Sequence, residues 1–438
     1  QGQFDLKTKS MIKRMTTLHS IHKDIIIVVL GSTATGKSKL GIELAKVFNG
    51  EIISADSMQV YKGLDVVTNK VTANEMEEIP HHMIDIISPP LEFSVVQFRN
   101  KALSIIDNIV KQKKVPIIVG GTNYYVESLL WNFSLEQTCD QEGNNEEQLN
   151  EADLKFQEKY NEYTDEALFN TLKIVDPERA EQLHPNNKRK VLRSLEVFEK
   201  SGKKHSELLK LQKTEDGSSQ WSGPMRFPNS IVFWLTCEQK ILERRISERV
   251  DKMVDKGLVN EIRLFYEAYK SAFDQLDLHH KPLYEESIFQ AIGFKEFQNL
   301  LKYEGNDSDI KFQLLSSSLD ALKRVTIRYS KKQKTWIKNR FLTRPNSSSP
   351  NIFELDATDL NRWNDNVLAK ALSICASIFK NEEILFKPLE KILPQKNVLA
   401  KHICNICDNR VIIGDEVWQK HLHSRKHKKK VKSYNKLT

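Results

Sequence analysis

Short apolar runs alternate with longer amphipathic segments along much of this 438-residue chain. Four runs have the length and aliphatic content of buried strands: DIIIVVL (24–30), EIISA (51–55), VPIIVGG (115–121) and SIVFWLT (230–236). Three intervening segments have helical character: Lys37–Phe48, 95–112 and 238–256. Strands that alternate with helices predict an α/β fold with a parallel sheet flanked by helices. No apolar run approaches the roughly 20 residues of a membrane span, so we expect no membrane partner.

The strand pattern disappears between about residues 135 and 225, where polar segments of helical spacing predict a helical insertion. Farther on, RPNSSSPN (344–351) has the composition of a linker. The predicted organisation has five parts: a basic leader (1–23), an α/β domain with its insertion (24–343), a linker and accessory segment (344–399), a small cysteine- and histidine-containing domain (400–430) and a basic tail (431–438).

Positive charge is concentrated at the end of the chain. The formal net charge is +8, and the stretch from Lys420 to Thr438 holds eight Lys or Arg and no acid, so the remainder is neutral overall. Such a tail suits contact with nucleic-acid phosphates, although a solvated, disordered end has the same composition. Residues 1–23 are also basic, which fits either a mitochondrial presequence or a frayed leader. We expect a cytoplasmic protein and leave mitochondrial and nuclear locations open.

The segment GSTATGKS follows the first predicted strand and precedes a predicted helix. Its spacing, with two glycines five positions apart followed by Lys and Ser, matches a P-loop. Backbone N–H groups of such a loop point at an anion, the lysine reaches outer phosphate oxygens, and the serine hydroxyl can bind Mg²⁺. We expect a phosphate site formed by eight residues: Gly31, Ser32, Thr33, Ala34, Thr35, Gly36, Lys37 and Ser38.

Other candidate groups follow the neighbouring strands. Asp56 comes directly after EIISA and should face the same crevice, because the carboxyl ends of parallel strands meet at one edge. It could hold Mg²⁺ through water, act as a base or cap a turn. On the helix at 238–256, Arg249 belongs to a basic face that either supplies charge to the phosphates or is solvated. These residues alone indicate a Mg²⁺-dependent enzyme acting on a phosphorylated small molecule, with a kinase as the first hypothesis.

Six motifs, taken together, are more specific than the P-loop. They are GSTATGKS, DSMQVYKGLDVVTNK (56–70), GGTNYY, HPNNKRKVLRSLEVFEKSGK (184–203), RVDKMVDKG (249–257) and QAIGFKEF (290–297). In this order, between about residues 24 and 340, they closely resemble tRNA dimethylallyltransferases, also called tRNA isopentenyltransferases. The resemblance implies transfer of a dimethylallyl group from dimethylallyl diphosphate to N6 of the adenosine 3′ of the tRNA anticodon, giving N6-isopentenyladenosine. The P-loop would then bind an isoprenoid diphosphate instead of ATP.

The resemblance also implies roles for individual residues. Asp56 matches the base that accepts a proton from N6, and Thr33 matches a residue that orients the reaction centre. Lys37, Mg²⁺ near Ser38, and Arg249 would neutralise charge on the departing diphosphate. Three further residues would hold the flipped target base: Ser57, Met58 and Gln59.

A basic stretch at residues 188–193 matches one of the family's tRNA-contacting segments. Its positive charge comes from Arg189, Lys190 and Arg193. Asn187 stands where the family usually has Asp, which puts any cap or contact of that Asp in doubt.

A second basic stretch is IRYSKKQKTW (327–336). Lys331 and Lys332, next to Gln333, keep its basic character, while Ile327 occupies a position usually held by Arg. We expect contact with the tRNA backbone here, with one contribution missing.

Cys404 and Cys407 are the one clustered pair among five cysteines, which fits a reducing compartment. His421 and His427 follow at a spacing that matches loose Cys₂His₂ zinc sites. His423 and His427 form an alternative pair four residues apart, which an ideal helix accommodates more easily than a pair six apart. The wider spacing resembles fingers of RNA-associated proteins and the cluster resembles eukaryotic members of the family. We therefore predict structural Zn²⁺ on Cys404, Cys407, His421 and His427, with His423 as the alternative.

Other functions are compatible with parts of the sequence. A free adenine-nucleotide isopentenyltransferase shares the P-loop chemistry but needs neither the helical insertion nor the finger. A P-loop nucleotide kinase would turn over ATP, and a zinc-finger nucleic-acid-binding protein could use its P-loop domain as a regulatory switch. We favour the tRNA-modifying prenyltransferase, whose partners are the tRNA anticodon stem-loop and dimethylallyl diphosphate. One active site built from one chain predicts a monomer.

Overall fold

Six parallel strands form the central sheet in the first of two units of the structure, a computed structural model. The described residues are 25–132, 156, 159–160, 163–214, 223–270, 287–344, 349–392 and 400–434. The predicted leader (1–23), the start of the predicted insertion and the end of the basic tail (435–438) lie outside them. Unit 1 contains the described residues up to Asn132 and from Met225 to Ile392, and unit 2 contains those within Phe133–Pro224 and Leu393–Thr438.

The strands of the sheet are β1 (Ile27–Gly31), β2 (Gly50–Ser54), β3 (His81–His82), β4 (Val115–Val119), β5 (Ile231–Thr236) and β6 (Asn351–Asp356). Their spatial order is β3–β2–β4–β1–β5–β6, and every neighbouring pair is parallel. β1, β2, β4 and β5 correspond to the four apolar runs. The structure confirms the predicted α/β class.

The α-helices are α1 (Lys37–Phe48), α2 (Ala73–Met76), α3 (Val95–Lys111), α4 (Asn123–Leu130), α5 (Asp165–Val175), α6 (Pro177–Glu181), α7 (Lys188–Ser201), α8 (His205–Thr214), α9 (Gln239–Asp255), α10 (Leu258–Ala268), α11 (Gln298–Leu301), α12 (Ser308–Trp336), α13 (Ala369–Lys380), α14 (Asp415–His423) and α15 (Arg425–Tyr434). Short 3₁₀ and π-helical turns lie at Ser287–Gln290, Lys295–Phe297, Ile337–Phe341, Leu360–Arg362, Asn364–Leu368 and Asn405–Cys407. Among the described helices, none is both long enough and apolar enough to cross a membrane.

Local sequence explains where several helices begin and end. Ser94 and Gln97 form a reciprocal capping box at the start of α3. α1 begins after Gly36, at φ +96°, and ends at Asn49, at φ +49°, and both residue types tolerate left-handed backbone. α9 buries the apolar stripe seen in its sequence: Leu242, Ile246, Val250 and Met253.

The segment after residue 343, which the sequence suggested to be a linker and accessory region, supplies part of the sheet. β6 pairs with β5 along its whole length, from Asn351 opposite Ile231 to Asp356 opposite Thr236. α13 adds Ala371 and Ile374 to the apolar cluster that packs against the sheet. The sequence analysis missed β6 because a six-residue edge strand directly follows a stretch of linker-like composition.

Two apolar clusters support the carboxyl edge of the sheet. The first joins the sheet to α1 and α13 and includes Ile27, Val29 and Leu40, which are fully buried. The second joins residues 60–67 to α9, α10, the turns at 287–297 and Leu322 of α12. Because buried apolar contacts are densely packed, the loops that leave the strands rest on rigid elements on both sides.

Unit 2 contains a helical part that matches the predicted insertion. Helices α5, α6 and α7 surround a buried cluster that includes Leu168, Phe169 and Val191. The side chain of Asn187 accepts the backbone N–H of Lys190 at 3.4 Å and caps α7. The cap that was in doubt at this position is therefore made by Asn.

The finger in unit 2 begins with a short antiparallel hairpin. Strands β7 (Lys401–Cys404) and β8 (Arg410–Ile413) pair with Cys404 opposite Arg410. The turn between them carries Asp408 and Asn409 in left-handed backbone, at φ +57° and +53°. Helices α14 and α15 follow, so the four predicted zinc ligands lie at the end of β7, on the 3₁₀ turn after it and on two helices of one small domain.

Candidate active site and zinc centre

Three loops meet at the carboxyl ends of β1, β2 and β4. The backbone N–H of Ala55 donates to Val119 O at 2.9 Å, and that of Thr122 donates to Ala55 O at 3.1 Å. A Cβ atom on Gly120 would lie only 2.1 Å from Ala55 O, so a side chain there would push the β2 and β4 loops apart. Ser57 N–H donates to Thr122 Oγ1 at 3.0 Å. Asp56 and the glycine pair after β4 therefore border the same crevice.

The P-loop is held by its own side chains and by its neighbours. Thr35 Oγ1 and Lys37 Nζ both donate to Ser32 O, at 2.8 and 2.9 Å. Ala34 adopts left-handed backbone, at φ +64°, which turns the loop towards α1. A Cβ on Gly36 would lie 2.8 Å from the ring of Trp363, so this glycine permits close approach of that ring.

The charged groups of the crevice act on each other. Desolvation and the nearby Arg249 lower the pKa of Lys37 to about 8, while the carboxylate of Asp56 opposes this shift. Burial also lowers the pKa of Arg249, and Asp56 and Glu75 oppose it. Arg249 Nη1 donates to Thr33 Oγ1 at 3.2 Å. The charges of Lys37, Arg249 and Asp56 therefore interact at the P-loop.

The neighbouring basic residues of α9 do not all serve the crevice. Arg245 donates to the carbonyl oxygens of Ala357 and Thr358, each at 2.7 Å, and so fixes the chain after β6. Arg249 is the member of the predicted basic face that contacts the P-loop among the described contacts.

The segment after β2 folds into a tight turn. Asp56 Oδ1 accepts the backbone N–H of Met58 at 3.0 Å. Both ends of the Gln59 amide are engaged: its oxygen accepts from Ser54 Oγ at 3.0 Å and its nitrogen donates to Thr68 O at 3.1 Å. Asp56, Ser57, Met58 and Gln59 are all half-buried, and the bonds at both ends of the Gln59 amide brace this turn.

α12 carries a site residue that the sequence analysis missed. Gln333 is 4% exposed; its side-chain oxygen accepts the backbone N–H of Thr33, and its side-chain nitrogen donates to Gly121 O, each at 2.9 Å. One turn earlier, Ser330 O accepts from Ser32 Oγ at 2.9 Å. The sequence carried one signal for this role: Ser330 and Gln333 are polar and three positions apart, which places them on the same face of a helix.

The other predicted tRNA-contacting residues lie on helix surfaces. Lys331 and Lys332 are exposed on α12, and Lys331 pairs with Glu243 at 2.8 Å. On α7, Arg189 and Lys190 are exposed, and Arg193 pairs with Glu196 at 2.9 Å. These cations are exposed or half-buried on the two helices, and two of them pair with carboxylates.

The finger brings four potential zinc ligands together. One ligand atom from each of Cys404, Cys407, His421 and His427 lies within 4.8 Å of the others. His427 Nδ1 is 3.5 Å from both sulfur atoms. His421 Nε2 is buried and has no hydrogen-bond partner among the described residues, which leaves it available to a metal. Two sulfur and two nitrogen donors fit a structural Zn²⁺ site.

A break between two helices allows the six-residue histidine spacing. α14 ends at Ser424, whose backbone is extended (φ −69°, ψ 146°), and α15 then begins at Arg425. His421 and His427 therefore point at one site from separate helices. His423 Nδ1 instead contacts Gln419 O at 2.8 Å on the exposed side. The structure thus places His421, and not His423, beside the other three potential ligands.

Comparisons with known proteins agree with this arrangement. A family profile described as IPP transferase matches residues 59–340. A tRNA dimethylallyltransferase of Mus musculus is 41% identical over 415 residues, which cover 94% of this chain and 87% of the relative. This chain belongs to the tRNA dimethylallyltransferase family.

Other members of the tRNA dimethylallyltransferase family match to different extents. A member from Oceanobacillus iheyensis is 37% identical, but the match covers 76% of this chain and 94% of that protein. The crystal structure of a eukaryotic dimethylallyltransferase acting on tRNA matches with a TM-score of 0.75 and 30% identity, covering 94% of this chain and 98% of that one. The eukaryotic matches thus extend over more of the chain than the bacterial one, as the resemblance implied.

The family profile ends at residue 340, before several elements that support the crevice of this chain. Residues 59–340 include Arg249 and Gln333, but β6 and Trp363 come later in the chain. The ring that lies against Gly36 therefore comes from a segment beyond the profile. The named relatives are tRNA dimethylallyltransferases, and no observation favours the kinase or free-nucleotide alternatives over that activity.

Proposed function

We propose that this protein transfers the dimethylallyl group of dimethylallyl diphosphate to N6 of the adenosine 3′ of the anticodon in tRNA. One observation carries the proposal: the carboxylate of Asp56 lies within electrostatic reach of both Lys37 and Arg249, beside a P-loop. The crevice thus combines a base with the two cations that a diphosphate leaving group needs. Membership of the family supplies the chemical class of donor and acceptor.

The donor would be bound by the P-loop, Gly31–Ser38. Backbone N–H groups of the loop and the N-terminus of α1 attract the diphosphate, and Lys37 and Arg249 add positive charge. Ser38 is exposed in the first turn of α1, so its hydroxyl is accessible to a cation bound by the diphosphate. The Ser38 hydroxyl is an oxygen donor of the kind that Mg²⁺ takes, and Mg²⁺, when bound, would supply further neutralisation of the leaving group.

The reaction would join two atoms and release one leaving group. The N6 lone pair of adenine is delocalised into the ring, so the amine is a weak nucleophile. A new bond forms between N6 and C1 of the dimethylallyl group while the C1–O bond to diphosphate breaks. Asp56 would accept the proton released from N6, and the Thr33 hydroxyl, held by Arg249, would orient the reacting groups.

The target base would enter beside the turn that follows β2. Ser57 and Met58, which are half-buried and directly follow Asp56, would contact the flipped adenine directly. Gln59 would shape this pocket through the loop that its amide braces, rather than through a free amide. A base in a single-stranded anticodon loop is easier to extrude than one in a duplex.

The tRNA backbone would be bound by cations on two helices. On α7 these are Arg189, Lys190 and Arg193, and on α12 they are Lys331 and Lys332. Arg193 and Lys331 would exchange their carboxylate partners for phosphates, a small change for pairs at the surface.

The finger would add sequence-independent contacts with phosphates. Zn²⁺ on its four ligands would stabilise a domain too small to have a large core. Within α15, a run of basic residues follows the last ligand, His427: Lys428, Lys429, Lys430 and Lys432.

The test is incubation of the purified protein with labelled dimethylallyl diphosphate and either tRNA or AMP, followed by mass analysis of nucleosides. We expect N6-isopentenyladenosine in tRNA. Labelling of AMP alone would replace the proposal with a free-nucleotide isopentenyltransferase. Transfer of phosphate from ATP to a small acceptor, without prenyl transfer, would replace it with a kinase.

Asp56→Asn tests the base and the regulatory-switch alternative together. The variant should bind tRNA and lose transfer by about 10²–10⁴-fold. Asp107→Asn is a matched control, because Asp107 pairs with Lys111 on the exposed surface of α3. Full transfer by Asp56→Asn would contradict the assignment of Asp56 as the base.

A further inference from the structure

The side chain of Gln333 joins the two sides of the proposed crevice. On the donor side, its Oε1 accepts the backbone N–H of Thr33 at 2.9 Å. On the acceptor side, its Nε2 donates to Gly121 O at 2.9 Å. Gly121 directly precedes Thr122, whose hydroxyl accepts the N–H of Ser57. One buried amide thus spans from the P-loop to the loop that supports Asp56 and Ser57.

We propose that Gln333 is a positioning residue that sets the distance between the donor and the acceptor base. The inference rests on the proposed prenyl transfer. It assigns to Gln333 no contact with substrate: Gln333 acts through Thr33 on one side and through Gly121 and Thr122 on the other.

The chemistry of the site requires a carboxamide. One end must accept from an N–H group and the other must donate to a carbonyl, and Gln does both. Glu would place a second acceptor against Gly121 O, and Asn is one methylene shorter and cannot span the same gap. A buried N–H or carbonyl left without its partner costs free energy. The N–H of Thr33 and the carbonyl of Gly121 are therefore more stable when bonded to this amide.

Three observations show that the surroundings of the amide are fixed. Asn123 Nδ2 donates to the backbone oxygen of Gln333 at 3.1 Å. Tyr329 Oη donates to Gly121 O at 3.3 Å, so the acceptor of Gln333 is shared with the preceding turn of α12. A Cβ on Gly121 would lie 2.4 Å from Gln333 Nε2, which leaves no slack between them. Movement of α12 at this point would move both loops.

A changed distance between donor and acceptor should alter the products of the reaction. When the acceptor amine is misplaced, water can take its position at C1 of the donor. Water then forms the new C–O bond, the bond to diphosphate breaks, and the proton passes to solvent, giving dimethylallyl alcohol and diphosphate. The ratio of hydrolysis to transfer therefore reports alignment, because partial unfolding lowers both rates equally.

The decisive variant is Gln333→Met, which keeps the side-chain length and removes both hydrogen bonds. With tRNA and dimethylallyl diphosphate, we expect kcat for transfer to fall about 10–100-fold. KM for each substrate should change less than about threefold, and the hydrolysis-to-transfer ratio should rise at least about tenfold. Gln333→Asn should shift the ratio in the same direction because it cannot span the gap.

Ser317→Ala is the matched control. Ser317 lies on α12 outside the stretch 327–336; among the described contacts its hydroxyl donates to Leu314 O of the same helix, and its side chain is exposed. This variant should keep the wild-type ratio and kcat. If Gln333→Met folds poorly, the ratio in Gln333→Asn decides the matter.

An unchanged hydrolysis-to-transfer ratio in both Gln333 variants would overturn the positioning role, including the case in which transfer falls in step with thermal stability. A wild-type protein that makes no isopentenyladenosine in tRNA would instead overturn the proposed function. The two failures are therefore distinguished by the wild-type arm of the same experiment.

Discussion

Arg249 Nη1 donates a hydrogen bond to the hydroxyl of Thr33 at 3.2 Å. In the bare P-loop spacing the position of Thr33 is a variable one, so nothing in that pattern demands a hydroxyl there. Here it receives a cation from α9, the helix that follows β5, while its backbone N–H is bound by Gln333 of α12. One residue of the loop is thus held by two distant helices, which fits a site that must align two substrates.

Removal of the Arg249 cation should impair turnover more than binding. For Arg249→Ala we expect kcat to fall about 10²–10³-fold, because charge on the departing diphosphate loses a preorganised donor. The affinity for tRNA should stay close to wild type. Steady-state kinetics and filter binding measure the two quantities.

The control for Arg249 lies on the same helix. Arg244 is exposed and pairs with Glu248 at 3.5 Å, so Arg244→Ala should retain wild-type turnover. Equal kcat in Arg249→Ala and Arg244→Ala would exclude Arg249 from the chemistry.

Binding of the donor should depend on pH through Lys37. Desolvation, with repulsion from Arg249, lowers the pKa of this amine to about 8 in the free protein, and a bound diphosphate would raise it again. Below pH 8 the amine is already charged, so binding requires no proton. Above pH 8 binding must take up a proton, and affinity should fall by up to about tenfold per pH unit.

Isothermal titration with dimethylallyl diphosphate between pH 7 and pH 9.5 measures this dependence. In Lys37→Arg, the guanidinium stays charged over the whole range, so the slope above pH 8 should disappear. A wild-type affinity that is flat from pH 7 to pH 9.5 would contradict the lowered pKa.

Sequence reasoning succeeded where function depends on local order. The P-loop spacing lies between an apolar strand and a helix, and Asp56 directly follows a second strand, so both could be placed before the fold was known. Gln333 could not, because its partner Thr33 is 300 residues away in the chain and the surrounding lysines suggested a surface helix. Three residues are far from the P-loop in the sequence and reach it only through the tertiary fold: Gln333, Arg249 and Trp363.

Zinc binding should depend on His421 and not on His423. His421→Ala should lose the metal and unfold the finger, since a domain of this size needs its metal. His423→Ala should retain about one zinc per chain. Metal analysis by mass spectrometry distinguishes them, and the reverse result would reassign the third ligand.

Unfolding of the finger should weaken tRNA binding by removing cations from the phosphates. In Cys404→Ser, the slope of log affinity against log salt should become shallower by about one for each phosphate that is no longer neutralised. Donor affinity should stay unchanged, because the P-loop residues that would bind the donor belong to unit 1 and the finger belongs to unit 2. An unaltered salt slope would remove the finger from the tRNA-binding surface.

Trp363 should stabilise both the fold and the phosphate site. Its ring is 2% exposed and lies against Gly36, and its Nε1 donates to Glu43 Oε2 at 2.9 Å on α1. Trp363→Ala should lower the free energy of unfolding by about 3–5 kcal/mol, because it leaves a cavity under the P-loop. Trp363→Phe, which loses mainly the hydrogen bond to Glu43, should cost about 1–2 kcal/mol. Leu360, on the preceding turn, is 55% exposed, and Leu360→Ala should change stability by less than about 0.5 kcal/mol.

Urea denaturation and donor titration measure the two consequences of the Trp363 change separately. The dissociation constant of the donor should rise in Trp363→Ala even where the protein remains folded, since Gly36 loses the ring that fixes the start of α1. The segment after residue 343 would then be required for donor binding, and a chain cut at that point should fail to bind dimethylallyl diphosphate. Equal stability and equal donor affinity in Trp363→Ala and Leu360→Ala would show that β6 and the turns after it cover the sheet without supporting the P-loop.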